Sequence, residues 1–196
     1  VLFLYHGDIL EEYTNFKGIT ENFKWSFLKS ALYIGTKEKL LLLDDFLSLV
    51  NNQKVIFLDI KSNDIFNIEM ARQVVKIINK HKLQETVFVE SFNPITLGSI
   101  RIYSKNILLM YDFTDNTKAS AEESQDQFNR IPWFLKQYWF QKQVLRIIKP
   151  DVLGPRFNFN RKVLKSLVKN NYPIICWTVD DYITAKSLYD DGVIGL

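Results

Sequence analysis

Along this chain short β-branched and aromatic runs alternate with segments patterned for helices. The apolar runs are Val1 to Tyr5, Val55 to Lys61, Thr86 to Ser91, Ile107 to Tyr111, Asp151 to Leu153 and Ile174 to Trp177, with another beginning at Val193. Between them lie helical patterns over Asp45 to Val50, Ile68 to Ile78, Pro94 to Tyr103, Pro132 to Ile148, Arg161 to Lys169 and Ile183 to Asp190. Ile68, Ala71, Val75 and Ile78 share one face of their helix, Pro94 suits a first helical turn, and Gly192 suits a helix stop. Such alternation with short links requires parallel strands covered by helices. A doubly wound sheet and a closed (β/α) barrel both satisfy it, and the runs are fewer than the eight strands of a full barrel. Residues 112–131 are polar and poor in apolar side chains, so they read as an insert within a single domain spanning 1–196.

The apolar share of 47% is ample for a core. The net charge is +3 with acids and bases interspersed, which leaves no basic patch for nucleic acid. No apolar run is long enough to span a bilayer, and Val1 to Tyr5 carries neither a basic leader nor a cleavage pattern. Cys176 is alone, so no internal disulfide forms, and a reducing, cytoplasmic compartment is the expectation.

Polar residues gather where the strand runs end. Asp59 and Lys61 are two apart on a strand and therefore point to one side. A charge on a buried strand costs free energy unless it is paired or holds a metal. Together this carboxylate and ammonium can grip an ion and an anionic substrate. His6 follows the first run, Glu90 and Ser91 close the third, Asp112 follows the fourth, Arg156 lies past the fifth, and Thr178 and Asp180 follow Trp177. In parallel α/β folds ligands bind at that edge. Taken singly, each has a plainer role: His6 as a turn residue, Asp59 as a helix cap, Lys61 snorkelling to solvent, Trp177 in the core, Arg156 paired with a surface acid. His81, between two lysines at a helix end, reads as structural. The seven glycines form no phosphate loop, and no Cys or His cluster suits zinc. Acid-rich oxygen donors suit Mg2+ or Ca2+.

Several segments together resemble the glycerophosphodiester phosphodiesterase family. His6-Gly7-Asp8-Ile9-Leu10-Glu11-Glu12-Tyr13-Thr14 keeps the histidine, leucine and threonine of the family's His-Asp-x-x-Leu-x-Arg-x-Thr stretch. Leu41 to Leu47 resembles its Pro-Thr-Leu-Glu-Glu-x-Leu segment, and Leu58-Asp59-Ile60-Lys61 its Leu-Glu-Ile-Lys strand. Ser91-Phe92-Asn93, Trp177-Thr178-Val179-Asp180 and Gly192-Val193-Ile194-Gly195 resemble its later strand ends. The matches keep their order over nearly the whole chain. Gly7 stands where the family has aspartate, Glu12 where it has arginine, Asp59 where glutamate is usual and Asp180 where asparagine is usual.

The resemblance implies a TIM (β/α)8-type barrel, here incomplete, with the first strands and the chain end missing. It implies metal-dependent hydrolysis of a small-molecule glycerophosphodiester to glycerol 3-phosphate and an alcohol. In that scheme Asp59 helps hold the divalent ion, His6 is the general acid, Lys61 stabilises phosphate charge, and Phe92 and Trp177 wall the substrate. Two alternatives stay open. One is a phospholipase D/C-like lipid phosphodiesterase, in which the aromatic segment Ile131 to Phe140, with Trp133, Tyr138 and Trp139, touches a membrane. The plainer reading of that segment is a helix packed on the barrel. The other alternative, motivated by Gly7 and Glu12, is a non-catalytic binding module with a decayed site.

Overall fold

Residues 1–50, 53–62, 64–113 and 132–196 are described by the computed structural model. They divide into two units, Val1–Lys54 with Lys76–Leu83, and Val55–Val75 with Gln84–Leu196.

In the first unit, strand β1 (Phe3–Leu4) is followed by a short helix α1 (Trp25–Leu28), strand β2 (Leu41–Leu42) and helix α2 (Leu43–Val50). Leu10, Leu28, Ala31 and Leu40 are buried among Phe3, Tyr5, Phe16, Phe23, Trp25 and Tyr33. β1 pairs antiparallel with β2, Phe3 opposite Leu42. The sequence placed Val1 to Tyr5 among parallel strands; a short apolar run does not encode its partner, and here that partner is a strand leading directly into a helix. α2 carries Asp44 and Asp45 in its first turn, where acids suit the helix dipole. Asp44 also accepts from Lys80 at 2.6 Å and lies 2.7 Å from His81 Nε2, so His81 has a structural partner.

The second unit is a parallel sheet. Its strands are β3 (Ile56–Asp59), β4 (Val87–Ser91), β5 (Leu108–Phe113) and β6 (Val152–Pro155), ordered β3-β4-β5-β6. Parallel bridges carry the ladder on from Leu153 to Ile174, from Arg156 to Trp177 and from Ile175 to Gly195. Each link contains a helix: α3 (Ile68–His81), whose last turns belong to the first unit, then α4 (Pro94–Tyr103), α5 (Tyr138–Ile148), α6 (Arg161–Lys169) and α7 (Tyr182–Asp190). Strand order therefore follows chain order without the reversal that defines a doubly wound sheet. This is the winding of a (β/α) barrel, and among the described residues the ladder does not close.

Local chemistry sets the helix ends. Asn93 caps α4, its Oδ1 accepting from Ile95 N at 3.0 Å, and Pro94 takes the position where a missing N–H costs nothing. Asn160 and Asp181 cap α6 and α7 in the same way. On α3, Ala71, Val74, Val75 and Ile78 are buried, whereas Ile68, expected on that face, is exposed in the first turn.

Two other expectations change. The segment expected as one helix from Pro132 to Ile148 is a 3-10 turn, Trp133–Lys136, then α5, with Gln137 extended between them at φ −72° and ψ 136°. Its near-continuous apolar content hid the break. Asp112, read as the start of the insert, lies inside β5 with Phe113; residues 114–131 fall outside the described residues.

Candidate active site

Strand register sorts the sheet's side chains onto two faces. Leu58, Val89, Leu109, Tyr111 and Leu153 share one face and are buried. On the other, Phe57 stacks on its register partner Phe88 with centroids 5.1 Å apart. One layer towards the strands' C-terminal ends, Asp59 stands opposite Glu90, Glu90 opposite Met110, and Asp112, two residues on from Met110, opposite Gly154. Apolar side chains thus fill the lower layer, and the three carboxylates lie beyond it, with Met110 beside Glu90.

Each of Asp59, Glu90 and Asp112 offers one carboxylate oxygen, and the three oxygens lie within 4.8 Å of one another. Lys61 reaches Asp59 at 3.4 Å, with both side chains about a third exposed (30% and 35%). Asp112 is buried, and its Oδ1 has no hydrogen-bond partner among the described residues. Burial first, then the charge of Asp59, pushes the Glu90 carboxyl up to about 7, while Lys61 pulls it down. Asp112 is pushed far above the usual carboxylate range by burial, then by Glu90 and Asp59. Three carboxylates this close repel unless a cation or protons intervene, and one ammonium is too little compensation. Hard oxygen donors, mutual proximity and an orphaned buried oxygen fit a divalent cation.

Asp59 and Lys61 thus meet, as the sequence suggested. Glu90 and Asp112 were visible at strand ends but had no assigned role. The missed signal was that acids ended three successive strands at one face of a parallel ladder.

Phe92 and Trp177 also come together, edge-on with centroids 5.6 Å apart. Trp177 Nε1 donates to the Gly154 carbonyl at 2.9 Å, which ties the indole to β6. Gly154 has a second role, because a Cβ there would overlap Asp112 Oδ1 and Met110 Cε. Gly154→Ala is therefore expected to destabilise the fold by about 1–3 kcal/mol through overpacking and to displace the Asp112 carboxylate. Thermal unfolding checks the first effect; an unchanged midpoint would mean that the neighbours yield freely.

His6 belongs to the first unit. It is exposed and packs edge-on to Tyr13 at 5.8 Å. The segment behind it is tightly bonded: Tyr5 Oη donates to Ile9 O at 2.8 Å, Thr14 Oγ1 to Leu10 O at 2.8 Å, and Thr20 Oγ1 to Asp8 O at 2.9 Å. The threonine of the His6 to Thr14 motif thus has a structural task. A Cβ at Gly7 would overlap Glu12 Oε2, so these two departures from the family pattern occupy one space.

The sequence model described as "Glycerophosphoryl diester phosphodiesterase family" matches residues 1–196. No curated protein matches the chain. Among solved structures it is similar to an Oleispira antarctica phosphodiesterase in complex with the product sn-glycerol-3-phosphate: TM-score 0.78 and 16% identity, covering 99% of this chain and 74% of that one. A glycerophosphodiester phosphodiesterase from Parabacteroides distasonis aligns with TM-score 0.67 and 20% identity over 98% of this chain and 71% of that one. One from Thermotoga maritima aligns with TM-score 0.65 and 20% identity over 98% and 73%. At these identities the likeness is one of fold.

Proposed function

The chain belongs to the glycerophosphoryl diester phosphodiesterase family, and from that premise we propose that it hydrolyses glycerophosphodiesters to glycerol 3-phosphate and an alcohol, using a divalent cation held by Asp59, Glu90 and Asp112. Membership makes it a phosphoric diester hydrolase. The observation that carries the finer reading is the carboxylate triplet with its orphaned Asp112 oxygen at the strands' C-terminal ends. Oxygen ligands of this kind suit Mg2+ or Ca2+. When bound there, the ion supplies Lewis-acid polarisation of a phosphoryl oxygen.

The chain's own residues do the rest. Lys61, beside Asp59, places a positive charge next to the phosphate and offsets charge that develops as the P–O bond to the alcohol breaks. His6 gives its proton to the departing alcohol oxygen, while water supplies the new P–O bond and the balancing proton. Phe92 and Trp177 form an aromatic wall against which the glycerol carbons pack.

The test is hydrolysis of glycerophosphocholine with and without chelator. Turnover should vanish in excess EDTA and return with added Mg2+ or Ca2+. Full activity in chelator would remove the ion from the scheme.

A further inference from the structure

The segment 132–149 contains four cations, Lys136, Lys142, Arg146 and Lys149, and no acid, although the chain as a whole has 22 acidic residues. The structure shows where these charges fall. On α5, Gln141, Val144 and Ile148 are buried and form the inner stripe. Trp139, Lys142 and Arg146, spaced i, i+3 and i+7, form the outer one, and all three are exposed. Trp139 is 61% exposed, and in the preceding turn Trp133 is 73% and Phe134 44% exposed. Phe134 lies edge-on to both Trp133 and Phe140 at 6.3 and 6.2 Å, and Trp139 to Phe140 at 5.9 Å, so the rings form a connected cluster. Packing of this segment on the barrel therefore accounts for the inner stripe and leaves the two tryptophans facing outward.

We infer that this aromatic and cationic face docks the protein on an anionic phospholipid surface. Tryptophan beside lysine and arginine is the composition of the membrane–water boundary: the indole sits at headgroup depth and the long cations reach lipid phosphates. Four cations without an acid are complementary to an anionic surface, and they set a second copy of this chain, with its net charge of +3, against the first. Among the described residues no helix is long and apolar enough to cross a membrane, so attachment is lateral. Position gives the face its use. Helices in this winding run antiparallel to their strands, so the first turn of α5, with Trp139, lies at the strands' C-terminal edge, as Asp112 does. A docked molecule thus holds the carboxylate edge beside the lipid surface, at the Trp139 end of the face. Only this last consequence rests on the proposed hydrolase reading; docking itself does not.

The experiment is co-sedimentation of the whole chain with phosphatidylcholine vesicles, with and without about a third phosphatidylglycerol. Binding is expected to the anionic vesicles alone, to weaken steeply with salt, and to bring a blue shift of tryptophan emission. Lys142→Gln with Arg146→Gln should weaken it roughly 25-fold, at about five-fold per cation, and Trp133→Ala with Trp139→Ala should abolish it. Both variants should keep the wild type's far-ultraviolet circular dichroism and melting temperature, which confirms their folding whatever the outcome for the proposed function. Equal binding to neutral vesicles, no binding at low salt, or unchanged binding by both variants would overturn it. So would a solution dimer that the tryptophan variant dissociates.

Discussion

Asp112→Asn is expected to lower hydrolysis of glycerophosphodiesters by at least about a hundredfold while leaving the melting temperature of the metal-free protein unchanged or raised. The reason lies in the side chain's position. Asp112 is buried, its Oδ1 accepts no hydrogen bond among the described residues, and the Glu90 and Asp59 carboxyls crowd it. As a structural residue it contributes little, because a buried carboxylate without compensation costs free energy. Asparagine keeps the shape that fits against Gly154 and cannot ionise, so it holds the neutral form that burial favours at this position. A functional role for the charge therefore predicts two opposite outcomes, less activity and no less stability. Parallel turnover and melting measurements read both. Wild-type turnover would remove Asp112 from the site, and a large drop in melting temperature would make its role structural.

His6→Ala is expected to slow hydrolysis of a natural alkyl diester about 10²–10⁴-fold, the usual contribution of a general acid. His6 is exposed on its loop, so the melting temperature should not move. The proposed role also fixes which substrates suffer. An alkoxide must be protonated as it leaves, whereas a p-nitrophenolate leaves unaided. The p-nitrophenyl ester of glycerol phosphate should therefore lose far less rate than glycerophosphocholine. Equal losses on both would make His6 a binding residue, and no loss on either would remove it from the chemistry.

Much of the sheet was legible because its signals are local. Asn93 and Pro94 announce a helix start by capping and fixed φ, and α4 runs from Pro94 to Tyr103 as read. Val55 to Lys61 declares a strand by its β-branched and aromatic content, and β3 lies within it. Periodicity left the choice between barrel and doubly wound sheet open, because it describes each strand and not its neighbours; the family resemblance decided it for the barrel. The same limit applied to the site. Asp59 and Lys61 are close in sequence, and strand alternation alone joins them. Glu90 and Asp112 meet Asp59 only through the registers of β3, β4 and β5, which no single segment carries. Asp112 was further disguised by the polar stretch after it, which made a strand residue look like a loop's first acid. At Gln137 a continuous aromatic pattern concealed a break, since apolar content persists on both sides of the extended residue.

The central claim is that Asp59, Glu90 and Asp112 form one divalent-cation site, and calorimetric titration of Mg2+ or Ca2+ into the metal-free protein tests it most directly. The Glu90 carboxyl is pushed up to about 7 and Asp112 well above the usual carboxylate range, both first by burial, so a cation that binds near neutral pH competes with the proton on Glu90. Saturable binding at one site should release protons, visible as a dependence of the heat on buffer ionisation enthalpy. Affinity should strengthen as pH rises through about 7, because the competing proton leaves Glu90, and should collapse in Glu90→Gln and Asp112→Asn. Binding without proton release, or equal affinity in wild type and both variants, would contradict the shared site.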